Sequence, residues 1–132
     1  GNKFQPGKRP MSTMTPIMMF DDNKTLKLIS GSPGGALIPA AVLRVITGLI
    51  DFNLNLGEAT MLPRLHKDWP FENLRMGRGF SKDTQNILTS YGHQLDLAKN
   101  MGSTHSILIY KKGREGFADL RRSNAGVAIH MD

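Results

Sequence analysis

Apolar positions first become regular at residues 17–20 and 26–29, two short runs separated by Asp21, Asp22, Asn23 and Lys24. Their length, and the turn-forming residues between them, predict a β-hairpin. The second run delivers the chain into Gly31, Ser32, Pro33, Gly34 and Gly35, after which the period changes. Ala41, Val42, Val45, Ile46, Leu49 and Ile50 form one apolar stripe at helical spacing, as in a helix packed on a core. Proline is tolerated in a first helical turn and costly further in, so Pro39 sets the expected helix start near Ala36 or Leu37. Residues 51–55 break that helix. Asn55 with Glu58 resembles a capping arrangement for a short helix that Pro63 ends, and residues 64–68 read as extended. Ser81 caps a third helix, in which Thr84, Ile87, Leu88 and Tyr91 are expected to face the core and Gly92 to close the C′ position. Leu95 and Leu97 alternate with polar neighbours as in a half-exposed strand. Residues 104–110 and 115–118 then flank Lys111, Lys112, Gly113 and Arg114 as a second hairpin. The order predicts an α+β domain rather than regular βαβ winding. No internal repeat or low-complexity tract interrupts it.

Composition changes this picture in three ways. The 132 residues suit a single domain with one core, but an apolar fraction of 39%, much of it from eight methionines, suggests a core completed by another chain. Lys and Arg outnumber Asp and Glu by 17 to 11, a balance that favours anionic partners without naming one. The lack of cysteine removes disulfides, thiol nucleophiles and cysteine-type zinc sites. No apolar run reaches the roughly 18 residues of a membrane-spanning helix, and no signal-peptide pattern appears within these residues. Gly1 in place of an initiator methionine, followed by an irregular polar lead-in over residues 1–10, reads as the start of a piece cut from something longer.

Candidate chemistry gathers at the glycine pair. Gly34 and Gly35 can take positive φ and let a ligand approach bare main chain, and their amides precede a helix N-terminus, where free donors favour an anion or a developing oxyanion. A tight strand-to-helix turn accounts for the same pattern, and no Lys or further glycine completes a phosphate loop. Ser12, Thr13 and Thr15 lie at the entrance of the first strand, which the hairpin brings near the glycines; such hydroxyls also commonly satisfy their own backbone. Arg64, next to Pro63, is read as pairing with a carboxylate or bracing a loop. His66, His93, His105 and His130 show no metal-ligand spacing and are read as structural, and no metal site is expected.

The residues that carry a resemblance are more specific than these patterns. Residues 8–16 (KRPMSTMTP) resemble the KRPLSSMSP segment of gamma-glutamyltranspeptidases, and residues 31–35 (GSPGG) match the glycine motif that follows it. Ile50, Asp51 and Phe52, Asn55, Glu58 and Ala59, then Pro63, Arg64 and His66 continue in the family's order. Gly79, Phe80, Ser81, Asp83 and Thr84, and finally Met101, Gly102, Ser103, Thr104 and Ser106, extend the resemblance to about Asp119.

This resemblance implies part of a four-layer αββα N-terminal-nucleophile hydrolase fold, from a precursor that cleaves itself into a large and a small subunit. It implies transfer of a γ-glutamyl group from glutathione or a related amide to an amino acid, peptide or water, without a cofactor. Ser12 and Thr13 would contact the γ-glutamyl moiety, and Gly34 and Gly35 would supply the oxyanion-hole amides. The nucleophile, a threonine exposed at the start of the small subunit, has no counterpart in this chain. The expected partners are therefore the large subunit and the remainder of the small subunit, and the expected location is periplasmic or extracellular. Thr13 departs from the usual serine, keeping the hydroxyl while its methyl stiffens χ1. Residues 120–132 also depart from the family's ending and are assigned no role. Relatives acting on cephalosporin side chains or poly-γ-glutamate would use the same scaffold. A non-catalytic binding or assembly module with a basic surface is the reading from another class; the dispersed aromatics and the lack of a recognised motif give no expectation of nucleic acid.

Overall fold

The computed structural model describes residues 3–123 and 125–127. A four-stranded antiparallel sheet is built from β1 (Ile17–Phe20), β2 (Leu26–Gly31), β6 (His105–Tyr110) and β7 (Gly113–Ala118), in the order β1-β2-β6-β7. The first hairpin closes where expected. The Asp21 carboxylate accepts from the amides of Asn23 at 3.0 Å and Thr25 at 2.9 Å, and Lys24 takes a φ of 60°. The Thr25 amide, with Lys27 beside it, holds the Asp21 carboxyl below its ordinary pKa. β2 runs two residues beyond the predicted apolar run, pairing Ser30 with Ser106 and Gly31 with His105. Its extension is anchored by a buried 2.7 Å hydrogen bond between the Ser30 and Ser106 hydroxyls.

A 3₁₀ turn over Gly35–Leu37 leads into α1 (Ile38–Ile50), with Pro39 in the first turn. The helix thus begins one residue past the expected start, because the glycine loop first tightens. Ala41, Val42 and Val45 of the predicted stripe are buried, whereas Ile50, at the helix end, is exposed. α2 (Leu56–Met61) opens with the capping box: the Glu58 amide donates to Asn55 Oδ1 at 2.8 Å and the Asn55 amide to Glu58 Oε2 at 3.0 Å. Leu28, Val45, Leu56 and Ala59 form the centre of the core, joining β2 to both helices.

Gly48 is the point of closest approach between α1 and α2, since a Cβ there would lie 2.8 Å from the Ala59 Cβ. Gly48→Ala is expected to destabilise the fold by about 1 kcal/mol net, overpacking of about 2 kcal/mol being offset by the better helix propensity of alanine. Chemical unfolding reads this directly; a raised midpoint would mean the helices part without cost.

The smaller sheet holds β3 (Leu65–His66), β4 (Asn73–Met76) and β5 (Gln94–Leu97), with β3 antiparallel and β5 parallel to β4. α3 (Lys82–Ser90) makes the crossover between the parallel strands. The order is therefore α+β as predicted, but it contains one βαβ unit that the sequence reading passed over along with β4. α3 is capped as expected: Ser81 Oγ accepts from the Thr84 amide, and a Schellman closure at Gly92 places the His93 amide on Leu88 O and the Gly92 amide on Thr89 O. Its apolar face is a correction. Ile87 and Tyr91 are exposed, and Thr84 and Leu88 only half-buried, because among the described residues the helix packs chiefly on β5.

One face of the larger sheet is also largely open among the described residues, with Val127 lying over Gly116 on the edge strand. Ile17, Met19 and Leu108 pack on the core, so the alternation of a strand turns Met18, Phe20 and Ile107 to the opposite side, where all three are exposed.

Candidate active site

The site is assembled where β2 ends. Gly34 (φ 145°, ψ 12°) and Gly35 (φ 58°) both occupy the region that disfavours a Cβ, and this double reversal turns the chain from the sheet edge into the 3₁₀ turn. The Gly35 carbonyl accepts from the Ile38 amide and from Thr13 Oγ1 at 2.8 Å. Among the described residues, neither the Gly34 nor the Gly35 amide donates a hydrogen bond. Two uncommitted N–H donors therefore stand at the entrance of α1.

The segment ahead of β1 lies across this turn. The half-buried Thr13 reaches Gly35, Thr15 Oγ1 donates to Thr13 O at 2.9 Å, and the exposed Ser12 hydroxyl accepts from the Met14 amide at 3.3 Å. The hydroxyl pair and the glycine pair are thus brought together, although 22 residues separate Thr13 from Gly35.

A second loop backs the first. The Ser103 amide donates to Ser32 Oγ at 2.9 Å, and a Cβ on Gly34 would come within 3.3 Å of the Gly102 Cα. A cavity of about 170 Å³ opens between the loops, lined in part by Gly34, Leu37, Asn100, Gly102 and Ser103. The Ser103 side chain is buried and its hydroxyl has no hydrogen-bond partner among the described residues. Ser103 stood among the residues that carry the resemblance, but no role was read for it, since that role depends on a loop 71 residues away in sequence.

Beneath both loops sits a charge clamp. Arg64 is 3% exposed and forms a 2.7 Å ion pair with Asp119, which is fully buried. Arg64 also donates to Met101 O at 2.9 Å, Thr60 O at 3.0 Å and Thr104 Oγ1 at 3.2 Å. Arg121 closes the other side, reaching Asp119 at 3.0 Å and the carbonyls of Thr60, Met61 and Leu62. The last carbonyls of α2 thereby receive cationic donors at the negative end of the helix. Burial pushes the Arg64 pKa down while Asp119 opposes the shift, and the guanidinium stays charged. Arg64 thus braces a loop and pairs with a carboxylate, as read from the sequence. Asp119 and Arg121 were missed, and Arg121 lies in the tail that was assigned nothing.

His66 hydrogen-bonds Asp68 at 2.6 Å, and among the described residues no group of three or more histidine or acidic side chains converges on a possible metal position. His130 lies outside the described residues, as do several residues of the tail.

Comparison with known proteins adds the family context. The gamma-glutamyltranspeptidase family model matches residues 1–129. The glutathione hydrolase proenzyme of Escherichia coli K12 is 43% identical over 112 residues, covering 85% of this chain and 19% of that protein. The glutathione hydrolase proenzyme of Bacillus subtilis 168 is 35% identical over 133 residues, covering 98% and 22%. The chain thus spans about a fifth of the length of these relatives. A solved variant of the Helicobacter pylori gamma-glutamyltranspeptidase superposes with a TM-score of 0.82 at 36% identity, covering 90% of this chain and 66% of that one.

Proposed function

The chain belongs to the gamma-glutamyltranspeptidase family, and on that footing we propose that it forms part of an active site that moves a γ-glutamyl group from glutathione or a related amide to an amino acid, peptide or water. The observation that carries this reading is the 2.8 Å hydrogen bond from Thr13 to the Gly35 carbonyl, which ties a hydroxyl pair to a turn with two uncommitted amides. The γ-glutamyl head lies against Ser12 and Thr13, and its side-chain amide carbonyl points at the Gly34 and Gly35 N–H groups. A threonine hydroxyl from upstream of this chain attacks that carbonyl. Negative charge develops on the oxygen and is taken up by the two amides. The C–N bond then breaks, the nitrogen leaves with a proton as an amine, and the acyl group remains as an ester on threonine. An acceptor amine or water attacks the ester in the second half of the reaction and restores the hydroxyl.

The nucleophile and further binding groups come from the rest of the small subunit and from a large subunit of the same precursor. The exposed apolar side chains of Met18, Phe20 and Ile107 on the larger sheet are a surface such a partner would cover. A periplasmic or extracellular location of the parent protein is part of the same proposal.

Ser12 gives the direct test of substrate contact. Its hydroxyl accepts only from the Met14 amide among the described residues, so its proton is available to a substrate carboxylate. In the processed full-length protein, Ser12→Ala is expected to raise KM for γ-glutamyl p-nitroanilide about tenfold or more, the loss of one hydrogen bond to a charged group. An unaltered KM would remove Ser12 from the binding site, and a full-length protein that releases no p-nitroaniline would remove the activity itself.

A further inference from the structure

The cavity at Gly34 does not end at Ser103. It shares Asn100 and Arg121 with a neighbouring cavity of about 180 Å³, and that one shares Gly77, Arg78 and Lys99 with a third of about 370 Å³. Their shared linings set the three cavities in a row leading away from the glycine turn, a cleft lined by no acidic side chain among the described residues. Arg121 is committed to Asp119 and the end of α2. Arg78 and Lys99, by contrast, make no ion pair or side-chain hydrogen bond among the described residues.

We propose that this cleft binds the carboxylate of the peptide or amino acid on the amine side of the scissile bond, whether leaving or incoming, with Arg78 and Lys99 as its counter-charges. The inference rests on the γ-glutamyl-transfer reading above and extends it to the second substrate.

The fold brings the two cations together for a reason. β4 and β5 run parallel, with Met76 paired to Leu97, and the Ala98 amide donates to Met76 O at 2.9 Å. Arg78 and Lys99 each follow two residues after the last paired position, so they emerge side by side at the carboxyl ends of parallel strands, where open α/β sheets commonly receive ligands. Reach also agrees. Gly102 packs on Gly34, and Lys99 is three residues from Gly102, at most about 11 Å along the chain. A dipeptide spans about 7 Å from its amine to its far carboxylate, and a lysine stem covers the rest. The partnerless Ser103 hydroxyl, buried in the first cavity, offers a hydrogen bond to a peptide carbonyl on the way.

The test compares two acceptors that differ only at that carboxylate, glycylglycine and glycylglycinamide, with γ-glutamyl p-nitroanilide as donor and the processed full-length protein as enzyme. The unsubstituted protein is expected to favour glycylglycine in kcat/KM. An Arg78→Gln/Lys99→Gln variant is expected to lose about tenfold of that preference, while the charge-keeping Arg78→Lys/Lys99→Arg variant retains it. An identical acceptor ratio in the unsubstituted protein and the glutamine variant, with p-nitroaniline still released, overturns the subsite alone. No p-nitroaniline release by the unsubstituted protein overturns the γ-glutamyl reading and the subsite with it.

Discussion

Replacing Asp119 by alanine is expected to cost the fold about 3–5 kcal/mol, the range for breaking a buried ion pair by deleting one partner. The carboxylate is fully buried and stands between two guanidinium groups, at 2.7 Å from Arg64 and 3.0 Å from Arg121. Removing it leaves Arg64, 3% exposed, as a charge with no counter-ion in an environment that penalises charge. The pair's attraction is not the main quantity here; the stranded cation is. An Arg64→Met/Asp119→Leu double variant should therefore be milder than Asp119→Ala, since it removes the more deeply buried cation, keeps volume and leaves only the more exposed Arg121 without its carboxylate. Urea unfolding of the intact protein separates the two, and equal losses in the single and double variants would reject a charge-based account. The damage should also travel. Arg64 holds Met101 O at 2.9 Å, and the next residue, Gly102, supports Gly34, so the glycine turn should loosen before the domain melts.

How much of this was readable without coordinates follows the range of each interaction. The Asp21 turn, the Asn55–Glu58 capping box, and the Ser81 and Gly92 helix ends were all legible, because each is closed by residues two to five apart. The glycine pair and the hydroxyls ahead of β1 were legible as candidates, but their 2.8 Å meeting depends on the hairpin folding back across 22 residues. The Arg64–Asp119 pair spans 55 positions and carries no periodic signature. β4 alternates correctly, with Leu74 and Met76 buried, yet four residues are too few to outweigh the loop-like sequence on either side. On α3 the apolar stripe was real and its expected burial was not. Periodicity reports that a face is apolar, while burial also requires something to pack there, and among the described residues it is chiefly β5 that does. The bare faces of α3 and of the larger sheet fit the apolar deficit noted in the composition.

The glycine turn yields the largest expected effect on chemistry. On the proposed oxyanion role, Gly35→Ala should slow formation of the acyl-enzyme by about 10²-fold, the usual loss for one oxyanion donor, with a much smaller effect on stability. The two effects separate because of where the Cβ would go. At Gly35 it enters open space, so no side chain or backbone need move to admit it. The cost lies in the backbone, where a φ of 58° carries a penalty of about 1–2 kcal/mol for alanine. Rotation toward negative φ relieves that penalty and re-aims the Gly34 and Gly35 amides, which must lie about 3 Å from the oxyanion to act. It also draws the Gly35 carbonyl away from Thr13, so γ-glutamyl binding should weaken alongside the acylation rate. Gly34→Ala is the contrasting variant: its Cβ would press on the Gly102 Cα at 3.3 Å and should reduce stability and rate together. Single-turnover release of p-nitroaniline measures acylation, and an unfolding curve for each variant supplies the comparison. A Gly35→Ala protein that acylates at the original rate would leave the turn as a strand-to-helix connection and remove the oxyanion role from both glycines.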